Sequence, residues 1–172
     1  SSGSNMFKQI LTYLFLVSGI LLMSFLSESY GQNSAGERQE LESLAMASYH
    51  KGDFSSALSR FRKLMQLEPS DPMHAYHAGI CLVELNQDLA DAIEYLFGAA
   101  SSGIPGVPPD VNYYLGKAYH RSYNFQDALK YFGRFELTAS RQQMKEYQLS
   151  HHLAACASAS EITQSYNPFE VM

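Results

Sequence analysis

His74 and His77 stand three residues apart, with Asp71 and Glu84 as the only acids on the helix expected there. Residues three apart share a face of a helix, so a His-x-x-His pair beside a carboxylate is the one pattern here that points toward a metal ion. The two acids do not converge on the pair at helical spacing, so surface or partly buried helix histidines are expected, and no metal. His151 and His152 are adjacent and therefore about 100° apart around a helix, which suits a solvated face or packing under a cap better than ligation. Cys81 and Cys156 are the two cysteines. No G-x-S-x-G, H-E-x-x-H, P-loop or C-x-x-C pattern occurs. No catalytic residue and no cofactor is therefore expected, and the protein reads as a non-enzyme.

Composition narrows the partners. Seventeen acidic residues against twelve basic leave a net charge of -5 over 172 residues. Without a basic block, nucleic acid and anionic membrane surfaces are poor partners. The start of the chain is the exception to an ordinary globular composition. Ile10 to Leu26 (ILTYLFLVSGILLMSFL) carries no charge, Lys8 precedes it, and Ser29-Tyr30-Gly31 follows. A positive n-region, an apolar h-region and small residues at the cut make residues 6–31 a secretory signal peptide. Cleavage is expected after Gly31, with no membrane contact afterwards. An uncleaved anchor is the competing reading, although spanning needs about 20 apolar residues. Ser1 to Asn5 precede Met6 and read as an added leader. The expected location is the periplasm or the outer-membrane surface, where a disulfide is permitted.

From Ser34 onward, helix starts recur. Ser34 with Glu37 makes a capping box. Asp53, Asp71-Pro72, Asp88, Asp110 and Asn124 each stand where an N-cap is expected. Ser140 with Gln143 opens a last long helix to about Ser160, and Gly103 stops the fourth helix. Seven helices in antiparallel pairs are expected and no sheet.

The pairs repeat. In GDFSSALSRFRKL, NQDLADAIEYLFGA and SYNFQDALKYFGRF, an alanine recurs at Ala57, Ala92 and Ala128, at spacings of 35 and 36. A large apolar residue follows four positions later, as Phe61, Leu96 and Phe132. Upstream, Gly79 and Cys81-Leu82 parallel Gly116 and Ala118-Tyr119. Small residues at a crossing let two helices approach closely, and the large ones fill the layer between pairs. One pair cannot bury its apolar face alone, so pairs stack.

These residues resemble the tetratricopeptide repeat (TPR), a helix–turn–helix unit of 34 residues. The resemblance is fullest in the third unit, with Leu115, Gly116, Tyr119, Phe125, Ala128 and Phe132 in place. In the first, Ala45 stands at the usual glycine and Ser48 at the usual tyrosine, and the second has one extra residue in its turn (Asn86–Leu89). The fold class this implies is all-α: an antiparallel helix-pair solenoid of three TPR-like units plus a C-terminal capping helix. The domain would run over 32–160, with units at about 40–69, 72–103 and 110–137, a cap helix at 140–160 and an exit tail at 161–172. SSGIPGVPPD, between the second and third units, reads as a long turn that loosens the stack there. Cys81 and Cys156 would lie on helices with another between them, too far apart to bridge, and are expected as buried thiols.

A narrower resemblance joins the apolar start to VNYYLGKAYHRSYNFQDALKYFGRF, the cap helix with Cys156 and the exit SYNPFEV. Together they are similar to the N-terminal modules of Bacteroidota envelope proteins that continue into a WD-like β-propeller and an OmpA-like peptidoglycan-binding domain. That resemblance implies a role in type IX secretion, gliding or a peptidoglycan-associated assembly, and a chain that is part of a longer one.

In a tetratricopeptide stack the first helices line the concave groove. Their exposed positions are expected to be Glu42, Met46, Tyr49 and His50; Met73, Tyr76, Ile80 and Glu84; and Tyr113, Lys117, His120 and Arg121. Such a groove, aromatic and Met-bearing with a basic end at Lys117 and Arg121, suits an extended or helical peptide carrying an acidic group. The family's carboxylate clamp needs lysine and asparagine in unit one, where Glu42 and Met46 stand. The expected function is a scaffold for other envelope proteins or peptides. A structural spacer or oligomerisation module without a groove ligand remains the alternative.

Overall fold

The computed structural model describes residues 35–165. The chain divides into two compact units, residues 1–41 and 42–172, and the architecture below is that of the second. The signal-peptide segment, the Ser34 cap and the tail beyond residue 165 lie outside the described residues. Among the described residues no helix is long and apolar enough to cross a membrane.

The described residues form eight helices and no strand. The first, α1, covers residues 35–50, of which 42–50 belong to the second unit. It is followed by α2 (Phe54–Leu67), α3 (Pro72–Leu85), α4 (Leu89–Ser101), α5 (Val111–Arg121), α6 (Phe125–Thr138), α7 (Arg141–Glu146) and α8 (Leu149–Ser165). Local chemistry sets most starts. Asp53, Asp71 and Asn124 accept from the backbone N–H of Ser56, Met73 and Asp127, satisfying donors that the first turn leaves orphaned. Ser140 and Gln143 complete a capping box.

Two expected caps are not caps. Asp88 sits at φ 42 and makes no capping bond; its carboxylate lies 3.8 Å from Arg62 on α2. Asp110 is already in helical conformation and makes no capping bond either. Its carboxylate is taken by tyrosines, described below. The expected single cap helix is also corrected. Gln148 adopts φ 49, a left-handed conformation that breaks the helical ladder, so α7 and α8 are separate helices.

The helices pair as α3 with α4 and α5 with α6, with α2 against α3, α4 against α5, and α8 against α6. In addition α3 touches α5 directly, which places the first helices of the pairs on the inner side of the stack. The small residues mark the crossings. Ala57, Ala92 and Ala128 are fully buried, as are Leu96 and Phe132, and Phe61 is nearly so. A methyl group at Gly79 would lie 2.6 Å from Leu96 Cγ, and one at Gly116 would lie 2.6 Å from Phe132 Cδ1. Glycine is therefore required at both by close approach rather than by backbone freedom. Phe97 on α4, by contrast, is 49% exposed.

The proline-rich linker does not loosen the stack. Across that junction Tyr76 bonds to Asp110 and Glu84 to Lys117, each at 2.7 Å. Cys81 and Cys156 are both buried and unbridged, and burial pushes the Cys81 thiol up to about 12. Buried thiols of this kind behave as small apolar residues.

Candidate functional site

The inner face is built by α1, α3 and α5, and its side chains meet one repeat length apart. Tyr76 on α3 donates to Asp110 Oδ1 at 2.7 Å, 34 residues along. Tyr147, just after α7, donates to Asp110 Oδ2 at 2.8 Å. One carboxylate thus ties the second unit, the third unit and the cap together. Hydrogen bonds to a charged acceptor are worth about 1.5–3 kcal/mol each. Burial, and then the bond to Asp110, push both tyrosine hydroxyls well above the ordinary range.

Around this node the face is aromatic. Tyr49 packs edge-on against His77 at 5.1 Å and Phe54 at 5.8 Å, and His77 stacks on Phe61 at 4.9 Å. Burial, followed by the nearby Cys81, Asp110 and Glu84, raises the Tyr49 hydroxyl to about 12. Tyr113 sits 4.5 Å from Tyr147 between ring centroids, and its hydroxyl lies 3.2 Å from His152 Nε2. His152 stacks on Phe132 at 5.3 Å. Burial, then neighbouring cationic groups beginning with His120, hold its pKa below the usual range.

Several expected groove residues are therefore not open. Tyr76, Ile80 and Tyr113 are 5%, 1% and 6% exposed. Tyr76 is turned onto Asp110, Ile80 belongs to the core, and Tyr113 is covered by Tyr147 and His152 of the cap. Lys117 is half-buried in an ion pair with Glu84 at 2.7 Å, so it is not a free cation. Met73 on α3 stays partly exposed, and the other accessible positions fall at the two ends. Met46 and Tyr49 are partly exposed and His50 exposed on α1, with His50 packed edge-on to Tyr49 at 5.8 Å. At the far end, His120 and Arg121 line a cleft of about 500 Å³ with Asn86, Tyr123, Phe125 and Ala159. There Arg121 Nη1 is buried with no hydrogen-bond partner among the described residues. Burial, then the Arg121 charge, lowers the pKa of His120.

The histidine pair of α3 separates. His77 Nδ1 lies 2.8 Å from the Met73 carbonyl and its ring belongs to the aromatic cluster. His74 is 2% exposed, rather than a surface or partly buried group, and faces Asp71 and Glu68. His151 is exposed, whereas His152 is the packing residue.

Asp110, Tyr147, His152 and the Glu84–Lys117 pair were not legible as inner-face partners. A signal did exist: Tyr76 to Asp110 and Glu84 to Lys117 are 34 and 33 residues apart. In a repeat of that length such pairs are stacked neighbours, and complementary groups at one-repeat spacing predict contact.

The chain matches no protein-family model and no curated protein. Solved structures are similar in fold. The type III secretion translocator chaperone SycD of Yersinia enterocolitica matches with a TM-score of 0.60 at 23% identity, over 72% of this chain and 85% of that one. SycD in complex with a peptide of the translocator YopD matches with a TM-score of 0.59 at 22% identity, over 71% of this chain and 93% of that one. An alternative SycD dimer matches at 0.58 and 20% identity, over 75% and 95%. At these identities the likeness is one of fold: the protein is a TPR-like stack of antiparallel helix pairs.

Proposed function

We propose that this protein is a non-enzymatic adaptor of the cell envelope, exported through its apolar N-terminal segment. It holds a peptide segment of another envelope protein, with an acidic group of that segment seated at Arg121. The observation that carries this reading is Arg121 itself: the residue lines an open cleft, and its Nη1 is buried with no hydrogen-bond partner among the described residues. A buried donor without an acceptor costs about 1–3 kcal/mol, more when charged. A carboxylate entering the cleft removes that cost and forms a charge-assisted bond.

Lys117 is already neutralised by Glu84, so preference for an acidic group rests on Arg121. Met46, Tyr49 and His50 supply an apolar and aromatic surface at the other end of the inner face. SycD, of the same fold, was solved with a translocator peptide, which supports peptide binding as a use of this architecture. The envelope setting, and a place in a type IX secretion or peptidoglycan-associated assembly, rest on the N-terminal segment and the sequence resemblance.

Affinity capture from envelope extract tests the reading, with the wild-type chain beside Arg121→Gln at matched melting temperature. A partner held by the first and lost by the second is the expected result. Equal recovery by both would replace groove binding with the spacer reading.

A further inference from the structure

The turn between α2 and α3 brings together three groups that the inner face does not use. Glu68 is the C-cap of α2, Asp71 the N-cap of α3, and His74 lies in the first turn of α3. The Asp71 N–H donates to the Glu68 carbonyl at 3.2 Å, closing the turn. One ligand atom from each side chain lies within 4.8 Å of the others. His74 is 2% exposed, and neither of its ring nitrogens has a hydrogen-bond partner among the described residues. Its Nε2 faces Asp71 Oδ2 at 3.8 Å, too long for a hydrogen bond. We propose that Glu68, Asp71 and His74 bind a divalent transition-metal ion, with zinc as the expected ion.

The His74–Asp71 separation suits this chemistry. Metal–ligand bonds of about 2.0–2.2 Å at a tetrahedral angle put donors roughly 3.4 Å apart. Drawing His74 and Asp71 onto one ion therefore takes a shift of a few tenths of an ångström. Asp71 Oδ1 is held by the Met73 N–H at 2.8 Å, which orients Oδ2 toward the ion as an outer-shell bond should. An imidazole among the ligands favours a borderline transition metal over magnesium or calcium, which take oxygen. Three protein ligands leave a position for water on the solvent side, where the Asp71 side chain is 40% exposed. Asp71 also borders a cleft of about 400 Å³ lined by Met65, Pro72, Tyr95 and Ser102. Bound there, the ion clips the end of the first unit to the start of the second.

The test uses the full chain, stripped with chelator and titrated with zinc chloride by calorimetry and with cobalt(II) by visible absorption. Glu68→Gln and Asp71→Asn remove one ligand charge each, and Asn preserves the N-cap. His151→Gln removes an exposed histidine elsewhere. The expected result is one saturable site with ligand-field cobalt bands. Affinity should fall by on the order of 10–100-fold or more in the two ligand variants, both still folding cooperatively without metal, and be unchanged in His151→Gln. Absence of a saturable site, equal affinity in the ligand variants, or loss in His151→Gln would each overturn the assignment.

Discussion

Gly116 and Phe132 give the sharpest test of how the helix pairs meet. Alanine at 116 would place its Cβ 2.6, 2.7 and 2.8 Å from Phe132 Cδ1, Cε1 and Cγ. Ordinary carbon contacts lie at about 3.5–4.0 Å, so the ring would have to retreat by roughly 1 Å. It has nowhere to go. Phe132 is fully buried, with Tyr113 at 5.7 Å and His152 stacked at 5.3 Å. Overpacking costs about 1–3 kcal/mol, and a ring hemmed in this way belongs near the top of that range. Alanine recovers about 1 kcal/mol of helix propensity. The net loss is about 1–2 kcal/mol, or a melting temperature lower by roughly 3–10 °C. Gly98 and Gly133 are helical glycines whose added Cβ would meet nothing within 4 Å. There the same substitution should raise the melt by about 2–5 °C. Thermal unfolding of Gly116→Ala, Gly98→Ala and Gly133→Ala is the assay. If Gly116→Ala melts at or above wild type while the other two rise, the close approach of α5 to α6 is wrong.

Other perturbations address the core and the inner face. Ala128→Leu places three extra carbons at a fully buried crossing beside Phe132 and Phe135; a loss of about 1–3 kcal/mol is expected in denaturant melts, and an unchanged midpoint would contradict the helix-pair assignment there. Asp110→Ala orphans the hydroxyls of Tyr76 and Tyr147 and should cost about 2–6 kcal/mol, with faster hydrogen exchange in α7. Adding Tyr147→Phe to it should cost little more, and full additivity would show that the two groups are not coupled. Burial depresses the pKa of His77, His120 and His152. The unfolded chain then binds more protons just below pH 6.5, so these histidines contribute stability that is complete above that pH and lost as it falls through their folded values. Melting temperature should decline from about pH 7 toward 5, and a flat profile would refute the buried, neutral state.

The stack was legible because its causes are local and periodic. Alanine at 57, 92 and 128 followed by Phe61, Leu96 and Phe132 encodes a crossing and its filler, and the structure buries all six. Asp53, Asp71, Asn124 and Ser140 cap as side-chain chemistry dictates. The inner face was less legible, because an acid before a helix has two uses. Asp110 has the position of a cap, yet two tyrosines from other elements claim its carboxylate. The break at Gln148 has no glycine or proline to announce it. It turns the chain so that Tyr147 and His152 reach Tyr113, which closes part of a face that repeat register alone presents as open. His74 was misplaced for a related reason: its ring is buried by tertiary packing and faces Glu68, an acid on the preceding helix's cap.

Groove recognition through Arg121 is most directly tested by selecting displayed random peptides on the wild-type chain and measuring the winners against Arg121→Gln. Winners carrying an acidic residue at a fixed position, with binding weakened by on the order of 10-fold or more in the variant, are the predicted result. Winners without an acidic preference, or bound equally by both proteins, would contradict it.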